Sequence, residues 1–331
     1  MNKKGIFQRF LPDFSHIKTI SELIDKIHTI TFEKNLDNIS RTIAYQKYFL
    51  LHPEIKWSFL ASMVSRNAGW NMCDLKGNWL NKILDEKMTK QLFLTYERAN
   101  WLIFQDVFPQ LLIYHYSTYR KKEMFHLLSE FFVSKFMRIE WEKFWRDRNE
   151  KRLVYSLIIN EQNVIQKPVI EHPIYKRRVF SSKFFIFQDL FHFSSCIFPT
   201  VNGNLYGASV HNFRKLDQRI NLGKSLYQIL FQKELFPYFL QFSLETEPTG
   251  SRKDYERYMI NSPGSRTPIL RAVFPVVEHH RHLDDNWTGK IKPSWEQDPP
   301  QLKKIELTDW YVHKQYQLHS LICLNELLFN R

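Results

Sequence analysis

The residues of this chain best suited to chemistry fall in two early segments. The first runs from His52-Pro53-Glu54 to Ser65-Arg66-Asn67-Ala68-Gly69-Trp70-Asn71 and is polar at both ends of one expected helix. The second is Glu97-Arg98-Ala99-Asn100-Trp101, with Gln105 and Asp106 following, inside an otherwise apolar helix. At about 100° per residue, Glu97, Arg98, Trp101 and Gln105 share roughly one 100° sector. Polar groups buried there singly would each cost a few kcal/mol, so they must converge on one another or on a guest. As a catalytic set, Glu97 would act as general acid or base, Arg98 or Arg66 as an anion clamp, and Asn67 or Asn100 as an amide donor. His52 and Asp106 complete the candidates. The competing expectation is a structural network in which Glu97 or Asp106 pairs with Arg66 or Arg98 and holds helices in register.

Three weaker constellations come later in the chain. Glu278-His279-His280-Arg281-His282-Leu283-Asp284-Asp285 offers imidazoles and carboxylates, so His279, His280, His282 and Asp284 are candidate metal ligands, with His172 or His211 as possible additions. Arg281 among them favours a solvated loop, and no metal or other cofactor is expected. Gly250-Ser251-Arg252 and Gly264-Ser265-Arg266 each combine backbone N–H groups, a hydroxyl and a guanidinium, which suits an anion such as phosphate. Lys176-Arg177-Arg178, between Tyr175 and Phe180, mixes charge and rings as single-strand nucleic-acid binders do. Solvated turns are the plain alternative for these basic sets.

The elements that must position these groups read as helices. Apolar spacing predicts helices over 17–32 and 39–51, with Asp37 or Asn38 as N-cap of the second. A third should start at Pro53 and run to about Asn67, with Gly69 as its stop signal. The segment 88–116 carries the strongest helical pattern, kinked or ended by Pro109. Residues 124–157 continue as one or two helices, with Met137, Trp141, Phe144 and Trp145 as a core stripe. Further helices are expected over 181–196, 213–230 and 236–244. Residues 245–306 look irregular and too long for a quiet connection, so they are either draped over the surface or partly disordered. A last apolar helix, 308–329, has Thr308 as cap and should pack back onto the body. The expected architecture is an all-α, multi-helix globular bundle in a single domain, 1–331, with an irregular segment before a docked C-terminal helix.

Composition agrees with this. The 331 residues include only 9 glycines but 16% aromatics, which disfavours turn-rich β folds and glycine-rich nucleotide loops. No P-loop, G-x-G-x-x-G, G-x-S-x-G or H-E-x-x-H motif occurs, which counts against ATPase, Rossmann dehydrogenase, α/β-hydrolase and zincin chemistry. Three scattered cysteines without a C-x-x-C fit reduced thiols. The basic start lacks an apolar core, because Gln8, Arg9, Pro12 and Asp13 interrupt it. No transmembrane segment is expected, since the longest uncharged stretch, 190–213, is broken by Pro199, Gly203 and Gly207. A cytoplasmic location follows. Lys and Arg number 47 against 34 Asp and Glu, a net charge of +13 that attracts polyanions.

His52-Pro53-Glu54-Ile55, Ser65 to Met72, Asp74-Leu75-Lys76-Gly77 and Glu97 to Asp106 together resemble the YppC-like family of bacilli. Glu161-Gln162-Asn163, Tyr206 to His211 and the His279–His282 region extend the resemblance over most of the chain. That family is a domain of unknown function. The resemblance therefore implies a cytosolic bacterial protein and no reaction, cofactor or catalytic residue. The residues themselves favour a non-enzymatic binding protein whose basic surface meets nucleic acid, an anionic membrane surface or an acidic protein. The alternative is a hydrolase or transferase with a polar pocket between helices at Glu97, Arg98, Arg66 and His52, acting on a phosphate- or sugar-containing substrate.

Overall fold

A computed structural model describes residues 13–173, 195–209, 215–281, 287, 291–302 and 305–329. These residues are mostly α-helical, with one two-stranded sheet. Helix α1 (Ile20–Lys34) opens with a capping box between Thr19 and Glu22 and buries Leu23, Ile27 and Ile30. Helix α2 (Asn38–Leu51) is capped by Asp37, which accepts from the Ser40 N–H at 2.7 Å. Helix α3 spans Lys56–Asp74. It starts three residues after Pro53 and continues through Gly69, so neither of the expected boundaries marks its ends. Gly69 lies buried inside the helix, where an added Cβ would make ordinary contact with the Gly250 Cα at 3.4 Å.

Helix α4 (Glu86–Arg120) is 35 residues long, about 52 Å at 1.5 Å per residue. Pro109 lies buried within it and does not end it. Packing along both flanks outweighs the roughly 3 kcal/mol that a proline costs inside a helix. Residues 124–157 do not form one continuous helix. A 3-10 segment (Phe125–Phe131), α5 (Lys135–Asp147) and α6 (Glu150–Val164) are separated by Phe132 and Arg148, whose φ values of 58° and 54° are left-handed. Ser134 and Asn149 then cap the helices that follow. Met137, Trp141 and Phe144 are buried, as their spacing requires. Residues 181–194 lie outside the described ones, whereas Ser195 and Cys196 belong to a strand and not to the end of a helix.

Strands β1 (Ser195–Pro199) and β2 (Leu205–Ser209) pair antiparallel with Ile197 opposite Gly207. The Asn67 side chain of α3 grips β1: its amide donates to the Ile197 carbonyl at 2.7 Å and accepts from the Ile197 N–H at 2.8 Å. On the far side of β2, the Gly207 N–H donates to Ile305 and the Leu307 N–H to Leu205, at 2.8 and 2.7 Å. Gly207 has a φ of 156°, and a Cβ on it would stand 2.0 Å from the Cys196 carbonyl oxygen. Gly207→Ala is therefore expected to destabilise the protein by more than about 1 kcal/mol, read as a lower denaturant midpoint. An unchanged midpoint would show that the hairpin shifts without cost.

Helices α7 (Leu216–Leu230) and α8 (Phe236–Glu245) follow, the second with a proline in its first turn. The described part of 245–306 is irregular apart from short turns, but buried polar bonds fasten it. Trp70 donates to Asp254 at 3.1 Å, and Arg252 grips Asp74 through Nε at 2.7 and 2.8 Å. Helix α9 (Thr308–Phe329) docks as expected, burying Tyr311, Leu318 and Ile322. Leu321, in contrast, is exposed. Thr308 is the first residue of α9, and its hydroxyl accepts from the Leu205 N–H of β2 at 3.0 Å. Among the described residues, no helix is long and apolar enough to cross a membrane.

Candidate functional site

The structure does not gather Glu97, Arg98, Arg66 and His52 into one pocket. Glu97 pairs with Arg41 of α2, both buried, and Arg41 also donates to Asn35 at 3.0 Å. Burial lifts the Glu97 carboxyl above its ordinary range, and the Arg41 guanidinium opposes that rise. Arg98 donates to the His280 carbonyl at 2.7 Å and lies over the Trp101 ring. Arg66 donates to the carbonyls of Ser243 and Thr246, while its Nε and Nη1 have no partner and its pKa is pushed down to about 10 by burial. A void of about 10 Å³ beside it is too small for an organic ligand. His52 meets His115 at 2.8 Å and Glu54 at 3.2 Å.

Asp106 is the centre of a separate buried network. It accepts from Arg281, Gln110 and Asn160 at 3.0, 2.8 and 2.6 Å, and so ties α4 to α6 and to the loop that carries the histidines. Glu97 and Asp106 thus do pair with arginines, but with Arg41 and Arg281 rather than Arg66 or Arg98.

The remaining candidates are also dispersed. His279 is half-buried against Trp101, and burial beside Arg98 and Arg41 pushes its pKa down to about 4. His280 is exposed. His282, Asp284 and His211 lie outside the described residues, and among the described residues no three His, Cys, Asp or Glu groups are placed to hold a metal. Arg252 is buried and committed to Asp74, Asn71 and Tyr255. Arg266 is exposed at a φ of 47°. Lys176, Arg177 and Arg178 fall outside the described residues.

A different set of residues shapes a cavity. Each bordering helix contributes one stripe at helical spacing. From α2 come Arg41 and Tyr45; from α3, Leu60, Ala61, Val64 and Ala68; from α4, Ala99, Asn100 and Ile103. From α6 come Glu161 and Gln162, and from α7 Arg219, Leu222, Gly223 and Leu226. The small residues Ala61, Ala68 and Ala99 leave open a space of about 200 Å³. That exceeds the ~150 Å³ that admits a benzene-sized guest. Asn67 lines this space too, although its amide is taken up by β1. A wider groove of about 340 Å³ lies beside the start of α9, bordered by the exposed Ile260 and Tyr316. It has no buried ionisable group comparable to those of the first.

Glu161 is the chemically distinctive group of the cavity. Its carboxylate accepts from the Trp57 indole and the Gln162 amide, both at 3.1 Å. Burial pushes its pKa up to about 7, against the pull of those two neutral donors. Gln162 in turn accepts from Arg219 Nε at 2.9 Å, so an amide stands between the carboxyl and that guanidinium. Tyr45 has a buried hydroxyl with no hydrogen-bond partner, and burial drives its phenol well above the usual range. A carboxyl that exchanges its proton near neutrality is suited to general acid–base work or to recognising a ligand's charge. Glu161 and Gln162 had stood out only through the family resemblance, and Arg41, Tyr45 and Arg219 not at all. The legible signal is a lone acid directly after the uncharged run 153–160.

The raised pKa sets a sign for stability. The folded protein holds the Glu161 proton more tightly than an unfolded chain at an ordinary value of 4.5. Its contribution is fully present below about pH 4.5 and is lost as pH rises through about 7. The loss is at most about 3 kcal/mol. Denaturation across that range should show a downward slope that Glu161→Gln flattens; equal slopes in both proteins would contradict the assignment.

This chain belongs to the family described as "Protein of unknown function (DUF2515)", which matches residues 33–311. Within it, the chain is 50% identical over 315 residues to the "Uncharacterized protein YppC" of Bacillus subtilis (strain 168), covering 94% of this chain and 98% of that relative. No solved structure matches it.

Proposed function

We propose that this protein is a binding module that takes a small organic molecule into the cavity between α2, α3, α4, α6 and α7. The observation that carries the reading is a space of about 200 Å³ bordered by five helices, with the Glu161 carboxylate held on its wall by two neutral donors. Mostly apolar walls with a few polar groups are the usual make-up of small-molecule sites. The test is thermal or chemical denaturation with a neutral aromatic probe, indole. Saturating indole should stabilise the native protein, by about 2.7 kcal/mol at a hundredfold excess over Kd. Ala99→Phe, which fills the space, should abolish the effect. Equal stabilisation of both proteins, or of neither, would remove the reading.

The net charge of +13 supports a second surface function, association with a polyanion. Arg120, Lys121 and Lys122 are exposed at the end of α4, and Arg146, Lys151 and Arg152 are exposed near the α5–α6 junction. Binding to DNA, RNA or anionic vesicles should then weaken steeply with added salt. Undetectable binding to all three at low salt would eliminate it.

A further inference from the structure

We infer that the ligand of the Glu161 cavity is a small organic ammonium, an apolar body carrying one protonated amine, with Glu161 as its counter-ion. This rests on the cavity being a ligand site and goes on to name the ligand's chemistry. The argument is one of unmatched charge. One carboxyl and two guanidiniums border the cavity from different helices. Arg41 of α2 already has Glu97 and the Asn35 amide as acceptors. Arg219 of α7 has the Gln162 and Gln166 amide oxygens. Glu161 of α6 has the Trp57 indole and the Gln162 amide, both neutral. Two donors occupy about half of a carboxylate's acceptor capacity, and the other half suits an N–H group.

The rest of the lining fits the same guest. Tyr45 and Tyr96 line the space, and aromatic rings attract cations. Leu60, Ile103, Leu222 and Leu226 provide a dry wall for the body of the molecule. An anionic ligand fits worse. Both guanidiniums already have acceptors, the Arg41 Nε–H excepted, and an anion would confront the Glu161 carboxylate unless that group kept its proton. A cation supplies what Glu161 lacks and converts a costly buried acid into an ion pair.

The test compares three probes of one shape and different charge: benzylamine, benzyl alcohol and benzoate. Titration calorimetry on the full chain slightly above neutral pH should rank benzylamine tightest, by about tenfold or more over benzyl alcohol. Glu161→Gln should erase that margin. A readout on the native protein alone guards against a variant that fails to fold. Near neutrality, benzylammonium should displace the Glu161 proton to the buffer, so the heat of binding should vary with the buffer's ionisation enthalpy. Benzyl alcohol should show no such dependence. Benzyl alcohol or benzoate binding as tightly as benzylamine, or benzylamine binding with no proton released, would overturn the ammonium and leave the cavity standing. If none of the three binds, the cavity reading falls with it.

Discussion

Arg41→Ala should destabilise the protein by about 3–5 kcal/mol, because it strands the Glu97 carboxylate in the interior. Side-chain exposures of 1% for Arg41 and 3% for Glu97 mean that water cannot replace the lost partner. The damage should spread along a chain of bonds. Arg41 also holds the Asn35 side chain, which itself donates to the Trp101 carbonyl at 3.1 Å, so one guanidinium links the end of α1 with α2 and α4. Removing both charges is a different experiment. An Arg41→Met, Glu97→Leu double variant should recover most of the loss, since apolar pairs of similar volume often replace buried ion pairs at little cost. Urea denaturation of the three proteins decides the matter. A single variant that loses less than about 1 kcal/mol would mean the pair is not closed in solution.

Arg252→Ala should have a comparable effect, again about 3–5 kcal/mol, through the segment that follows α8. Asp74 near the end of α3 would lose its ion-pair partner, and Asn71 and Tyr255 would lose a donor each. The backbone bonds of residues 251–259 are local to that segment, so side-chain bonds largely hold it against the helices. Limited proteolysis should therefore cut the variant faster within 245–281 than the native protein. Unaltered cleavage together with an unaltered denaturation midpoint would show that Trp70–Asp254 and Tyr311–Glu256 suffice.

How much of this was legible in the sequence differs by level. Helix positions followed from apolar spacing, and Asp37 and the 308–329 helix were readable because their signals are local. Boundaries set by tertiary contact were not. Gly69 has the form of a stop signal, yet α3 passes through it to Asp74, buried beside the distant Gly250. Pro109 has the form of a break, yet a buried ring inside a packed helix is tolerated. The polar groups of α4 need partners, but pairing over 56 residues, as between Arg41 and Glu97, leaves no spacing to read. The cavity was least visible. It arises where two alanines of α3 meet one of α4, and no single helix carries that pattern.

The clasp of Asn67 on Ile197 bears on how the protein behaves at high concentration. An open strand edge recruits strands from other molecules and seeds aggregation. Here the middle of β1 is engaged by a side-chain amide, while β2 is flanked by residues 305–307. The two-stranded sheet is thereby shielded from intermolecular zippering on both flanks, and a helix supplies part of that protection with a single asparagine.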